Sequence, residues 1–101
     1  LVYMTAGTKA GAEAIADALV EESLAACVNI IDGMMSVYRW EDRLHHGKEV
    51  VLIAKTTERR LEALTERVKE LHSYECPCIV ALPLKGGNPA FFDWISKQIN
   101  V

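Results

Sequence analysis

Cys76-Pro77-Cys78 is the stretch of this 101-residue chain with the plainest capacity for chemistry. In an extended segment, side chains two apart fall on the same side, so both thiols could face a soft ion such as Cu(I). A closed tetrahedral site needs about four ligands, however, and the more ordinary reading is two small residues packing at a strand entrance. His45-His46 raises the same question. Neighbours in a ribbon point to opposite faces, so these imidazoles do not chelate one ion together within a strand and read as part of an exposed hairpin tip. His72 stands at the end of a helical pattern, where the helix dipole favours an imidazolium, and two residues ahead of Tyr74. Capping and ligand binding are both open to it. Lys55, after the apolar run Val50 to Ala54, is either a partly desolvated amine or a strand-end lysine reaching water. Cys27, within Ala-Ala-Cys-Val-Asn, reads as a buried packing thiol with a raised pKa rather than an activated nucleophile.

Catalytic signatures are missing. The chain has no glycine-rich phosphate loop, no Ser-x-x-Lys or nucleophile elbow, and no carboxylate pair in a recognisable setting. We read it as non-enzymatic; a small enzyme using Lys55 or His72 for acid-base work is the remaining alternative, and it lacks a paired nucleophile and base. A net charge of -3 supplies no basic field for phosphate backbones, which argues against nucleic acid. No run approaches the roughly 18–20 apolar residues of a membrane span, and no charged region precedes the first apolar stretch. Three cysteines, an odd number, fit free thiols in a reducing compartment, so the expected location is cytoplasmic.

The elements that must position these residues follow from periodicity. Leu1 to Thr5 is a short apolar strand broken by Ala6-Gly7-Thr8, with Thr8 an N-cap for a helix over Lys9 to Ser23. Ala12, Ile15, Ala16, Leu19 and Val20 form its apolar face, opposed by Glu13, Asp17 and Glu21. Ala25 to Trp40 and about Lys48 to Lys55 are β-rich arms of one long hairpin, with Asp32-Gly33 a bulge and the reversal near Asp42. Arms of over ten residues are about twice the usual strand, too long for so small a domain to cover alone. Thr57 and Glu58 give a cap and an acidic first turn to a second helix with the stripe Leu61, Leu64, Val68 and Leu71. Ile79 to Leu84 is a fourth strand that finishes, or lies at an edge, near Pro83. Asn88-Pro89 starts a last helix whose Phe91, Phe92, Trp94, Ile95 and Ile99 exceed one narrow stripe, so part of it should meet more than its own sheet. Strand, helix, strand, strand, helix, strand and an added helix make an α+β, ferredoxin-like split βαβ sandwich in a single domain over residues 1–101. Its ribbon calls for partner chains.

Leu24-Ala25-Ala26-Cys27-Val28-Asn29, Ser36-x-Tyr38-x-Trp40, Glu49 with Lys55-Thr56, His72-x-Tyr74-x-x-Pro77, Leu82-Pro83 and Asp93-Trp94 together resemble the CutA family of divalent-cation tolerance proteins across essentially the whole chain. The resemblance implies a homotrimer joined through the long ribbons, an assembly similar to PII signalling proteins, and an association with copper and other divalent ions. A PII-like metabolite sensor is the alternative it leaves open. It directs attention to an intersubunit cleft built from Tyr38, Trp40, Glu49, Lys55, His72, Tyr74 and Trp94, open to a metal ion or small molecule. The family's copper-binding members use a cysteine ending the first strand and two consecutive histidines ending the second helix. Met4, Leu71 and His72 stand at those places here, which leaves Met4 and His72 as the metal candidates and weakens tight Cu(II) binding. Asp42 replaces the family's turn glycine.

Overall fold

The fold is that of a computed structural model, which describes residues 1–99. Residues 100 and 101, the end of the expected single domain, lie outside what is described. Its strands are β1 (Val2–Ala6), β2 (Cys27–Trp40), β3 (Arg43–Lys55) and β4 (Ile79–Ala81); its helices are α1 (Lys9–Glu21), α2 (Leu61–Leu71) and α3 (Pro89–Ile99). The strands form one antiparallel sheet in the order β2-β3-β1-β4. Strand alternation sends Val2, Met4 and Ala6 of β1 and Val50, Leu52 and Ala54 of β3 into one layer, where they meet Ala12, Ile15 and Leu19 of α1 and Leu64 and Val68 of α2. Among the described residues no helix is long and apolar enough to cross a membrane.

Local chemistry explains the boundaries. The Thr8 side chain accepts from the Gly11 N–H at 3.0 Å and opens α1 as expected. α1 ends at Glu21, short of the expected Ser23, because Ser23 turns left-handed with φ 58°. The Ser23 N–H then reaches the Val20 carbonyl and the Leu24 N–H the Leu19 carbonyl, a Schellman closure that drops Leu24 onto buried Leu19. Val20, placed on the apolar face from sequence, is instead exposed. Arg67 of α2 forks onto Glu22 just past α1, an exposed pair that solvent screens.

The hairpin is longer than expected. Glu41 and Asp42 both have positive φ (51° and 60°), the signature of a two-residue type I′ turn, so pairing resumes at once with Trp40 opposite Arg43. β3 therefore begins at Arg43 rather than Lys48, and His45 and His46 lie within the strand, not at its tip. The Asp32-Gly33 bulge is present as a register shift between Ile31 and Met34, with Gly33 at φ 76°. Cys27 is half-buried rather than sealed in the core.

Two further boundaries differ. Thr57 makes no side-chain cap; a 3-10 turn over Glu58–Arg60 precedes α2, and the Thr57 hydroxyl is buried without a partner. β4 stops at Ala81, well before Leu84. Leu1 and Leu82 still exchange backbone hydrogen bonds, but Pro83 then has no N–H to continue the ladder. Asn88 accepts from the Ala90 N–H and starts α3 as expected, with Ile95 and Ile99 buried against Ala26 and Phe91 and Trp94 exposed. Arg60 reaches back to cap the Ile99 carbonyl at 3.1 Å.

Gly33 offers a clean test of the bulge, because a Cβ there would meet nothing within 4 Å and only its positive φ opposes a side chain. Gly33→Ala is expected to cost about 1 kcal/mol, read as a lower urea midpoint at equal protein concentration. Gly86→Ala, in equally open space without a positive φ, should stay within about 0.5 kcal/mol. Equal midpoints for the two variants would contradict the strained-bulge reading.

Candidate functional site

His72 builds the site. As the first residue beyond α2 it leaves helical geometry (ψ 144°), while its own N–H still donates to the Val68 carbonyl. Its Nε2 lies 2.7 Å from the Thr5 carbonyl of β1, and its Nδ1 accepts from the Tyr74 N–H at 3.0 Å. A carbonyl can only accept and an amide N–H can only donate, so these partners assign the proton to Nε2. One ring thus ties the end of α2 to β1 and folds the following loop back on itself. The Tyr74 ring is tilted against it, with centroids 4.7 Å apart.

Tyr74 carries the loop across to β3, where its hydroxyl donates to Glu49 Oε2 at 3.2 Å. Gly7 makes room for this crossing: a Cβ at that position would sit 3.1 Å from the Tyr74 hydroxyl oxygen. Burial pushes the Tyr74 phenol above its usual range, and the Glu49 charge and hydrogen bond, then Tyr38, push in the same direction. The Cys78 thiol is also raised, first by burial and then by the Glu49 carboxylate. Glu49 is therefore the anionic hub of a phenol and a thiol. Tyr38 belongs to the same face, stacked on His45 at 5.4 Å with Gly47 beneath its ring. His45 Nε2 in turn lies 3.2 Å from the Trp40 carbonyl.

Of the seven expected cleft residues, one chain brings together Tyr38, Glu49, His72 and Tyr74. Lys55 lies opposite Cys27 at the far end of β3, about 20 Å along the strand from Glu49. Trp40 sits beside the hairpin tip and is 60% exposed. Trp94 is on α3, stacked on Phe91 at 5.6 Å. Sequence reasoning missed Thr5, Gly7 and Cys78 as parts of the cluster; the short break Ala6-Gly7-Thr8 and the proline before Cys78 were the only signals available.

Met4 and His72 do not fit as a pair of metal ligands. Met4 is 1% exposed within the layer between sheet and helices, whereas both ring nitrogens of His72 already have backbone partners. Among the described residues no three of His, Cys, Asp and Glu gather as a cation site. A cavity of about 590 Å³ lies apart from the cluster, between Leu61, Leu82, Phe92 and Ile95, with Thr56, Thr57, Glu58 and Ser96 adding polar groups to its apolar walls.

The family model described as CutA1 divalent ion tolerance protein matches residues 1–98. The chain is 47% identical to the divalent-cation tolerance protein CutA of Thermus thermophilus, over 97% of this chain and 95% of that one. It is 45% identical to a rice protein named CutA 1, chloroplastic, but spans only 55% of that relative's length. Among solved structures, the Thermus thermophilus divalent cation tolerance protein superposes with a TM-score of 0.94 at 46% identity, covering 96% of this chain and 94% of that one. CutA from Xylella fastidiosa gives 0.95 at 34% identity, covering 97% and 94%. With its split βαβ sheet, extended hairpin and added helix matched from end to end, the chain belongs to the CutA1 family of divalent ion tolerance proteins.

Proposed function

We propose that the chain acts as one subunit of a homotrimer that binds a metal ion or small ligand in clefts between subunits, as a binding protein rather than an enzyme, in the service of divalent-cation tolerance. The observation that carries this reading is the outer hairpin. β1 pairs with β3 only from Val50 to Ala54, and β2 is the sheet's edge, so among the described residues Met34 to Trp40 and Arg43 to Glu49 pair with each other and nothing else. Val37, Trp40 and Leu44 are each 60% exposed or more along this ribbon. Proteins cover such edges, and closed cyclic symmetry covers each with a neighbour.

The scattered cleft residues support the same reading. Tyr38, Glu49, His72 and Tyr74 meet within one chain, while Trp40, Lys55 and Trp94 project elsewhere and would complete a cleft only from a second copy. The three free thiols suit a reducing, cytoplasm-like compartment. The words chloroplastic and periplasmic in relatives' names indicate that the family works in more than one place. A metabolite-sensing role of the PII kind would use the same cleft, with Lys55 facing an anionic ligand.

Light scattering at micromolar concentration is expected to give three times the 11.2 kDa subunit mass. Aromatic side chains bury roughly 150–250 Å² each at about 25 cal/mol per Å², so Trp40→Asp should lower both the mass and the melting temperature. A monomeric wild type would overturn the assembly, and a trimer indifferent to Trp40→Asp would move that side chain out of the subunit contact.

A thermal-shift screen of metabolites and metal ions tests the cleft. Lys55→Ala and Tyr74→Ala should each abolish the shift given by any compound that stabilises the wild type, while the assembly keeps its mass. An anionic metabolite as the sole hit favours the sensor role, and hits that bind both variants like wild type would sink the cleft assignment.

A further inference from the structure

Phe92 and Ile95 of α3 belong to a small hydrophobic cluster with Ala26 and Ile99, while Leu61 of α2 packs on the larger core between sheet and helices. The cavity of about 590 Å³ is lined by residues of both clusters, together with Leu82 and Pro83 just past the end of β4. We propose that this cavity is a binding site for a small neutral molecule, apolar along most of its length and carrying one hydroxyl or comparable hydrogen-bonding group, with 1-octanol as its representative.

Size and walls supply the first reason. Small-molecule pockets run from about 300 to 1,000 Å³, with mostly apolar linings and a few polar groups that fix orientation. This one has that size and that lining. Its walls are set by packed elements: the Phe92 ring lies against Gly87, where an added Cβ would sit 3.2 Å from it, and Ile95 is buried. Leu82 and Leu84, about half exposed, give a ligand its way in from solvent.

A buried polar atom supplies the second. The Thr56 hydroxyl is committed, since it donates to the Leu24 carbonyl at 2.7 Å. Thr57, next to it in the lining, has a buried hydroxyl with no hydrogen-bond partner among the described residues. Buried hydroxyls are nearly always paired, and one left alone is unfavourable until a partner meets it. Thr57 stands where a helix cap is expected, but it makes no cap hydrogen bond to the 3-10 turn that follows. A hydroxyl both donates and accepts, so an alcohol or amide on the ligand would satisfy it.

Charge supplies the third. Among the described residues of the lining, Glu58 alone has a charged side chain, and it is exposed. The neighbouring cations are committed, because Arg60 donates to the Ile99 carbonyl and the Leu1 amino group to the Leu82 carbonyl. A carboxylate or phosphate would therefore shed water without gaining a counter-charge. An ammonium would gain little from a carboxylate that solvent already screens, and would lose its own hydration against apolar walls. A neutral ligand meets neither cost. The site lies apart from the Glu49, His72 and Tyr74 cluster and does not depend on what that cluster binds.

The test is fluorescence titration of the full chain, at the concentration where its assembly is measured, with the neutral apolar dye N-phenyl-1-naphthylamine. Saturable uptake of one dye per chain is expected, with displacement by 1-octanol. Ser96→Trp and Ala81→Phe each place a ring into the cavity from a different element and should weaken dye uptake by about tenfold or more, with melting curves reporting which variants are folded. Thr57→Val keeps the shape and removes the hydroxyl, so it should weaken octanol by about fivefold and leave the dye within about twofold of wild type. Val20→Ser removes an exposed apolar side chain outside the lining and should bind as wild type, which separates the cavity from dye adsorbed on the surface. No saturable uptake by the wild type, or uptake at full strength in a folded filled variant, would overturn the proposal. So would octanoate or octylammonium displacing the dye better than octanol. Uptake confined to protein diluted to the monomer would assign the cavity to a neighbouring subunit and overturn it as well.

Discussion

The constraint on which the rest of this structure depends is a mismatch of strand lengths. β2 and β3 run 14 and 13 residues, while β1 has 5 and β4 only 3. The helices can cover no more than the common stretch, where Val50, Leu52 and Ala54 are sealed beneath α1 and α2. Beyond Glu49 the ribbon leaves the sheet with its backbone edges unpaired, and the bulge at Asp32-Gly33 marks the point of departure. A bulge there adds local twist and bend to the ribbon. The domain thus covers its sheet at one end and leaves its ribbon bare at the other.

Where the ribbon leaves the core, the site begins. Glu49 is the last residue of β3 before Val50 enters the β1 pairing, and Tyr74 reaches it only because His72 ties the preceding turn to Thr5. Backbone groups hold His72 on both sides, so the imidazole works as a rigid brace with its tautomer set by its neighbours. That explains how a loop of irregular backbone can hold a phenol on a carboxylate. It also explains why Gly7 lies beside the ring: the brace brings the loop so close that an added Cβ would crowd the Tyr74 hydroxyl.

The parts of the fold legible in the sequence were those with a local cause. Thr8 and Asn88 cap the helices that follow them, and Asp32-Gly33 breaks the register, each through its own side chain or φ. The start of β3 was not legible because Glu41 and Asp42 both adopt positive φ, a conformation their residue types allow without announcing it. Ser23 hid the end of α1 for the same reason. Thr57 looked like a cap, yet the 3-10 turn takes the backbone out of reach of its hydroxyl. In the site, His72 and Tyr74 could be singled out by type and spacing, but Thr5, Gly7 and Cys78 join them through contacts between elements far apart in sequence.

Strand parity carries the argument about metals further than residue type does. Met4 and Thr5 are adjacent, but alternation sends the Met4 thioether into the layer beneath the helices, while His72 binds the backbone of Thr5. A soft ligand on the wrong face of a strand is lost to solvent whatever its affinity. The loop after His72 is free of that rule, since it joins no ladder until Ile79. Cys76 is exposed there and Cys78 half-buried.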